Sequence, residues 1–342
     1  MGNPSRTTTQ PNRFTQPALV IGVDIGGTKV AAGLVDERGM ILHQARVPMV
    51  ADRGADVALE AVRTAIDSVA SDARLHSEAY GIISAIGICC PGPLNPNTGI
   101  IINPPNLPCW RDFPLTKEIS RIYGVNVKVD NDGNAAALAE ALWGAGRGYP
   151  NVFLATIGTG IGTGIVMEGQ IYHGRTGAAG EGGHLSIDYR GPRCGCGKLG
   201  CIEALASGPA IANRARTKLA AGDFSALIGL CGGKVDLITS EMIGTAYASG
   251  DPVAKQTLEE TVELLSVWLG NIIDLLEPDI MIMGGGCASL LEPFFPQIQA
   301  RLPECCVNSR CQEIPLVMAR FGEDAGIVGG AAFCAQNLRI RA

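Results

Sequence analysis

Two stretches of the chain follow the same pattern of apolar runs and glycine turns. The first is VIGVDIGGTKVAAGLVDERGMILH, at residues 20–43, and the second is VFLATIGTGIGTGIVMEGQIYH, at residues 152–173. Each stretch reads as strand, glycine turn, strand, glycine turn, strand. A repeat of this kind indicates an internal duplication in which each copy opens one of two related domains.

Helical and strand patterns alternate after the first copy. Helical spacing is found at residues 55–70 and for Leu115, Ile119 and Ile122, and an alanine-rich helix is predicted from Asp132 to Trp143. Strands are predicted at residues 84–92 and around Val127 and Val129. Strands that alternate with helices predict an α/β fold.

The later part of the chain is mainly helical. Apolar residues in a long stretch at residues 252–276 predict one continuous helix (Leu264, Val267, Trp268, Ile272, Leu275). A strand with a glycine turn follows at residues 278–286, and a last helix is predicted at residues 325–335. With 342 residues, of which 46% are hydrophobic and 18% charged, we expect about two globular domains.

Charge and composition narrow the possible partners and the compartment. The chain has 27 basic and 33 acidic residues without a basic cluster, so nucleic acid is not expected as a primary partner. Residues 1–16 are polar and do not resemble a signal peptide. Asp274, Glu277 and Asp279 interrupt the best candidate for a membrane span. We therefore expect a cytoplasmic protein without membrane contact, in which most of the twelve cysteines are reduced and fill cores.

One short segment, EGGHLSIDYRGPRCGCGKLGCIE at residues 181–203, has the ligands of a metal site. His184, Cys194, Cys196 and Cys201 supply one imidazole and three thiolates, which fill a tetrahedral zinc shell and leave no position for water. The pattern therefore predicts a structural zinc ion. The alternative interpretation is three buried thiols and an unrelated histidine.

Two glutamates flank these ligands. Glu181 lies three residues before the histidine, and Glu203 lies two residues after the last cysteine. A metal that fixes the ligands would also fix both carboxylates, although either glutamate alone could be an ordinary solvated surface acid.

Two glycine turns are candidates for phosphate binding. The first consists of Asp24, Gly26, Gly27, Thr28 and Lys29. Its backbone N–H groups could approach phosphate oxygens, and its carboxylate could bind hydrated Mg²⁺. Taken alone, it could be a hairpin turn without a ligand. A second turn, Gly158-Thr159-Gly160, stands at the equivalent place in the repeat and favours a polyphosphate held between two domains.

Asn131 and Asp132 follow a predicted strand and begin a predicted helix. They could simply cap that helix. Because a helix N-terminus favours an ionised carboxylate, Asp132 is also expected to accept a proton or hydrogen bond at neutral pH, as a base for a substrate hydroxyl would.

Taken together, these motifs resemble the ROK family of sugar kinases, and in particular its bacterial glucokinases. The resemblance rests on DIGGTK, VDNDGNAAALAE, GEGGH and CGCGKLGCIE, and it extends from about residue 18 to residue 335. It implies an actin-like, hexokinase-type fold of two α/β domains with a cleft between them. We expect a disordered tail at residues 1–17, a small domain at 18–131 joined by a C-terminal helix at 325–342, and a large domain with the zinc motif at 132–324.

The resemblance also implies roles for individual residues. Asp132 would be the catalytic base, and Asn131, Glu181, His184 and Glu203 would bind sugar hydroxyls, so that His184 would serve both zinc and substrate. Shorter matches suggest that Gly92 and Asn106 lie near the sugar and that Gly284, Gly285 and Gly286 lie beside the adenosine.

The interpretation is therefore an ATP-dependent kinase that phosphorylates the 6-hydroxyl of glucose, with Mg²⁺ and a structural Zn²⁺. A similar N-acetylmannosamine kinase carries Arg where Pro93 stands here, which favours glucose over N-acetylated sugars. Other hexoses stay open, because epimers differ by a single hydroxyl. A sugar-sensing repressor of the same family is less favoured, since about 17 polar residues precede the first strand, too few for a DNA-binding unit. The resemblance suggests a homodimer or homotetramer.

Overall fold

A computed structural model describes residues 18–75 and 82–339; the tail predicted at residues 1–17 lies outside this part of the chain. The first half contains, in chain order, β1 Ala18–Ile25, β2 Lys29–Val35, β3 Ile41–Pro48, α1 Ala55–Leu75, β4 Ile82–Cys89, β5 Leu94–Asn95, β6 Ile100–Ile101, α2 Leu115–Tyr123, β7 Asn126–Asp130 and α3 Asp132–Trp143.

The second half begins with three strands, continues mainly with helices and ends in a long helix. Its elements are β8 Val152–Ile157, β9 Ile161–Met167, β10 Gln170–Ile171, α4 Ile202–Ala206, α5 Gly208–Ala220, α6 Leu227–Leu230, α7 Ser240–Ala248, α8 Pro252–Leu276, β11 Ile280–Gly284, α9 Ala288–Leu291, α10 Phe295–Cys305, β12 Leu316–Met318 and α11 Ala325–Arg339. Short 3₁₀ turns connect several of them, including Gly182–His184.

The two five-stranded sheets have the same topology. The strand order is β3-β2-β1-β4-β7 in the first sheet and β10-β9-β8-β11-β12 in the second. In both, the three consecutive strands pair antiparallel and the two later strands add in parallel. The structure therefore confirms the duplication predicted from the two glycine-turn repeats.

Each sheet has its own core. One large cluster of buried apolar residues draws its members from residues 19–129 and another from residues 153–316. Some apolar residues of the predicted helices do not face a core: Val57 in α1 and Val267 and Leu275 in α8 are exposed. Val267 lies one position from the buried Trp268, about 100° around the helix, and so points away from the core. The two-domain division remains an interpretation of this arrangement.

The C-terminal helix α11 lies across the first sheet, although 236 residues separate β4 from it along the chain. Two paired glycines, Gly22 in β1 and Gly87 in β4, allow this approach. A Cβ atom on Gly22 would lie 1.9 Å from the Ile327 carbonyl oxygen, and one on Gly87 would lie 1.8 Å from that of Gly330. Any side chain at these positions would push the helix off the sheet.

No helix in the described part of the chain is long and apolar enough to cross a membrane. All twelve cysteines are unbridged. Among them Cys231, Cys287 and Cys334 are buried, as their apolar surroundings in the sequence predicted.

Candidate functional site

The candidate base stands at the N-terminus of α3. Asn131 caps this helix, and its Oδ1 accepts a hydrogen bond of 2.7 Å from the backbone N–H of Asn134. Asp132 is the first helical residue, and its Oδ1 accepts from the N–H of Gly133 at 2.9 Å. The two interpretations of this segment, as a helix cap and as a functional site, are thus compatible, because the cap at Asn131 fixes the position of Asp132.

The pKa of Asp132 is raised above its ordinary value of 3.8, mainly through desolvation by burial. Asp132 as a residue is exposed to solvent, although neighbouring protein groups remove part of the hydration of its carboxylate. The backbone N–H groups at the helix N-terminus lower the pKa of Asp132, but by less than desolvation raises it, and the role of Asp132 as a proton acceptor stays a prediction. A raised pKa brings a carboxylate closer to the range in which a general base is effective.

Asp24 of the first glycine turn is electrostatically linked to this base. Burial raises the pKa of Asp24, and the charge of Asp132 raises it further, while a hydrogen bond from Cys89 and the charge of Lys29 lower it. Gly326 in the first turn of α11 packs directly on Asp24, since a Cβ there would lie 2.5 Å from the Asp24 Cγ. The structure thus places the first glycine turn and the candidate base in one electrostatic environment.

The first glycine turn also contacts Asn106. The turn is closed by a hydrogen bond of 2.9 Å from the Gly26 N–H to the Lys29 carbonyl. A Cβ on Gly27 would lie 2.7 Å from the Asn106 carbonyl oxygen, so only glycine allows this contact. Thr28 and Lys29 are exposed next to the turn.

The predicted zinc ligands come together in the structure. Ligand atoms of His184, Cys194, Cys196 and Cys201 all lie within 4.8 Å of one another. The His184 Nδ1 is 3.6 Å from the Cys194 Sγ, and the Cys196 and Cys201 Sγ atoms are also 3.6 Å apart. Tetrahedral zinc with bonds of about 2.0–2.3 Å needs ligand separations of roughly 3.5–3.8 Å, which these two pairs have, and one imidazole with three thiolates is a donor set that suits zinc. Because Nδ1 faces the cluster, the Nε2 of His184 is left for another partner.

Glu203 joins the metal cluster to the second glycine turn. Its Oε1 is 3.8 Å from the His184 Nδ1 and accepts a hydrogen bond from the Cys194 Sγ at 3.5 Å. Its Oε2 accepts from the Ile161 N–H at 3.0 Å. A Cβ on Gly160 would lie 2.5 Å from the same oxygen, so the turn is built around this carboxylate. Glu203 is half-buried and held from two sides.

Thr163 in β9 holds the segment that contains Glu181. Its hydroxyl donates to the Gly180 carbonyl and accepts from the Gly182 N–H, the latter at 2.7 Å. The indole N–H of the fully buried Trp268 donates to the Gly182 carbonyl at 3.1 Å. Sequence reasoning missed both residues, because neither is near Glu181 in the chain. Glu181 itself is exposed.

The second glycine turn borders a cavity of about 450 Å³. Gly158, Thr159 and Gly286 line it together with Arg216, Glu241 and Cys287. Gly285 requires its glycine, since its φ is +87° and a Cβ would lie 2.5 Å from the Ile157 carbonyl oxygen. The structure thus brings the second turn and the predicted residues 284–286 to the same place.

Gly92 lies just beyond β4, in an exposed position. Two residues earlier, the Cys90 N–H donates to the Asp130 carbonyl at 3.0 Å, which ties the end of β4 to the end of β7. Asp130 directly precedes the capping Asn131. The chain segment of Gly92 therefore leaves the sheet beside the segment of the candidate base.

The sequence was also compared with known proteins. Residues 20–337, most of the chain, match the ROK family. The chain belongs to the ROK family. The resemblance predicted from its motifs is confirmed.

The relatives of this ROK protein include proteins named as kinases of glucose and proteins named as kinases of an N-acetylated sugar. A glucokinase of Streptomyces coelicolor is 35% identical over 316 residues, covering 92% of this chain and 96% of the relative. An N-acetyl-D-glucosamine kinase of Yersinia pseudotuberculosis is 32% identical over 331 residues, covering 92% of this chain and 98% of the relative.

Solved structures share the fold of this ROK protein. A Streptomyces griseus ROK glucokinase in complex with glucose and AMPPNP aligns with a TM-score of 0.74 and 34% identity, covering 92% of this chain and 99% of that one. A ROK transcriptional regulator, a homologue of the E. coli MLC protein, aligns with a TM-score of 0.81 and 29% identity, covering 96% of this chain and 80% of that one. The predicted actin-like, hexokinase-type α/β fold is confirmed. The roles of the individual site residues stay predictions.

Proposed function

We propose that this ROK protein is an ATP-dependent sugar kinase that transfers the γ-phosphoryl group to the 6-hydroxyl of glucose. The observation that carries the proposal is the register of the first sheet: Asp24, which precedes the glycine turn suited to phosphate, pairs with Cys89 in β4, and Cys89 pairs with Asp130 in β7, two residues before Asp132 at the N-terminus of α3. A phosphate site beside a candidate base is what hydroxyl phosphorylation requires. The relatives named as glucokinases support the choice of sugar.

Binding of the sugar is assigned to groups around the metal cluster and the α3 cap. Glu181, His184 through Nε2, Glu203 and Asn131 would bind hydroxyls, with Gly92 and Asn106 near the 3- and 4-hydroxyls of the sugar. The metal would hold this set in place without meeting the substrate, since four protein ligands close its shell. Zinc thus has a structural role in the proposal.

Catalysis would depend mainly on position. Asp132 would orient the 6-hydroxyl and accept its proton, while N–H groups of the turns at Gly26–Gly27 and Gly158–Gly160 would contact the phosphates. Mg²⁺ bound to the triphosphate would neutralise part of the phosphate charge, and Asp24 would bind the hydrated ion. Closure of the cleft would exclude water as a competing acceptor.

The adenosine is assigned to the cavity of about 450 Å³ beside the second turn. Gly284 ends β11 there, Gly285 and Gly286 follow it, and Thr159 and Gly286 line the cavity. Its volume is in the usual range for a small-molecule site, about 300–1,000 Å³.

An N-acetylated hexose is the second candidate acceptor, because relatives named N-acetyl-D-glucosamine kinases are nearly as similar as the glucokinases. Sugar-responsive transcriptional regulation is a third, supported by the structural similarity to the regulator. For partners and location, we propose a homodimer or homotetramer in the cytoplasm, where thiol ligands would stay reduced; light scattering would measure the oligomeric state.

A coupled ADP-release assay across a panel of hexoses tests the proposal. Glucose should give the highest kcat/KM, above mannose, fructose, N-acetylglucosamine and N-acetylmannosamine. Asp132→Ala should lower kcat by about 10²–10⁴ and leave ATP binding intact, because it removes only the proton acceptor. A preference for an N-acetylated sugar would change the acceptor. Sequence-selective DNA binding without turnover of any hexose would reject the kinase.

A further inference from the structure

Asp130, next to the capping residue, is a buried carboxylate with partners on both of its oxygens. It is 4% exposed. Its Oδ1 accepts from the Asn131 N–H at 2.8 Å and from the Asn134 side-chain amide at 2.9 Å. Both donors belong to the cap that begins α3. Asp130 therefore fixes the backbone turn from which Asp132 projects.

The other oxygen of Asp130 is paired with His173. The His173 Nε2 is 2.5 Å from the Asp130 Oδ2, and 43 residues separate the two in the chain. His173 stands two residues after the last residue of β10, so it reaches the α3 cap from the second sheet. The contact bridges the two halves of the duplicated fold.

His173 also begins the segment that ends at Glu181. Its carbonyl accepts from the Ala179 N–H at 3.2 Å and closes the loop of residues 173–179. Glu181 follows two residues later. One residue thus contacts the cap that positions the candidate base and starts the loop that leads to a candidate sugar ligand.

We propose that His173 is a positioning residue that holds the Asp130 carboxylate and thereby sets the orientation of Asp132 toward the sugar hydroxyl. The proposal rests on the kinase function proposed above. His173 would not touch the substrate. Its effect would pass through Asp130 and the α3 cap.

The charges around the pair favour the protonated form. Asp130 is the charged group that acts on His173, and its hydrogen bond raises the pKa of the imidazole above 6.5, against a smaller opposing effect of burial. Asp130 and His173 line a cavity of about 430 Å³. Lys128 also lines this cavity, but its Nζ donates a hydrogen bond to the Phe333 carbonyl at 2.8 Å. The His173 imidazole is therefore protonated below pH 6.5 and loses its proton as pH rises through the raised pKa.

The test compares the pH profile of kcat in the wild-type protein with those of His173→Gln and His173→Arg, by ADP release at saturating ATP. In the wild type, kcat should fall on the alkaline side as His173 loses its proton. His173→Gln should lower kcat about tenfold at neutral pH, within the roughly 10²-fold that a 1 Å misplacement costs, without changing the KM for ATP. His173→Arg keeps the charge at all these pH values, so it should recover most of kcat and remove the alkaline fall. His43→Gln, on the opposite edge strand β3, is the matched control and should keep the wild-type profile.

The outcomes separate the two proposals. Wild-type kcat and an unchanged alkaline fall in His173→Gln would overturn the positioning role while the kinase stands. A parallel loss in kcat, ATP binding and thermal stability, without recovery in His173→Arg, would also overturn it, because it would show a structural contact only. A wild-type protein inactive on every hexose would reject the kinase function itself.

Discussion

At the scale of single residues, two side chains connect the metal cluster to the rest of the candidate site. Glu203 contacts the metal cluster through one oxygen and the second glycine turn through the other. His184 faces the cluster through Nδ1 and has Nε2 left. A carboxylate or imidazole held on one side loses less freedom when it binds a ligand on the other, which favours affinity.

Loss of the metal should therefore weaken sugar binding. Cys196→Ser removes one thiolate, and we expect it to lose zinc and to raise the sugar KM about 10–100-fold, as loss of groups that orient a site commonly does. The KM for ATP should change little, because the 450 Å³ cavity contains none of the four ligands. Elemental analysis and kinetics on the same sample measure both effects.

The half-buried Cys305 in α10 provides the control for this substitution. Cys305→Ser should keep zinc and the wild-type KM. If metal-free Cys196→Ser binds sugar as tightly as Cys305→Ser, the cluster does not support the sugar ligands.

The metal ligands could be predicted from the sequence because they occupy 18 consecutive residues, 184–201, where spacing alone shows them together. Thr163 and His173 could not, because neither belongs to a recognisable ligand motif: Thr163 binds backbone groups, and His173 pairs with a carboxylate 43 positions away in the chain. Their contacts exist only through the pairing of β9 and β10 in the second sheet. The raised pKa of Asp132 could not be predicted from the sequence for a related reason, since desolvation comes from packing and not from its position in a helix.

At the scale of elements, α3 is held at both ends. The cap at Asn131 fixes its N-terminus, and Glu140, which is fully buried, fixes its C-terminal half. The Glu140 Oε1 accepts from the N–H groups of Arg320 and Phe321, at 2.6 and 3.0 Å, and its Oε2 accepts from the Ala145 N–H at 2.7 Å. The helix of the candidate base is thereby joined to the segment that leads into α11.

We expect Glu140→Ala to destabilise the protein by about 2–4 kcal/mol, because three backbone N–H groups would lose their acceptor in a buried site. Urea unfolding measures the change. Glu60→Ala is the control: Glu60 forms an exposed pair with Arg63 on α1, and its loss should cost less than about 1 kcal/mol. Equal destabilisation by the two substitutions would show that the Glu140 contacts contribute no more than a surface pair.

Most elements could be predicted from their own periodicity. The helix predicted from Asp132 to Trp143 has the same bounds in the structure, and both glycine-turn repeats form three strands as predicted. The two-residue strands β5 and β6 were missed, because so short a hairpin has no periodicity to detect. The prediction of the buried face of α8 was only partly right, since burial around a long helix depends on which neighbouring elements pack against it.

At the scale of the whole molecule, the duplicated topology explains how the site is assembled. The first sheet contributes Asp24 and Asp132, and the second contributes Glu203, the metal cluster and the loop that leads from His173 to Glu181. The two sheets have equal topology, and each has a glycine turn after its first strand, so each sheet supplies one candidate phosphate-binding turn. The helix α11 joins the end of the chain to its beginning through the glycines of β1 and β4.

The most direct test of this account is a crystal structure of the protein with glucose and a non-hydrolysable ATP analogue. The account predicts the sugar between Asp132 and the cluster formed by His184, Cys194, Cys196 and Cys201, with its 6-hydroxyl about 2.6–3.2 Å from an Asp132 carboxylate oxygen. Glu203 and the His184 Nε2 should bind other hydroxyls of the same ring. A sugar bound away from the metal cluster, or with its 6-hydroxyl out of reach of Asp132, would contradict it.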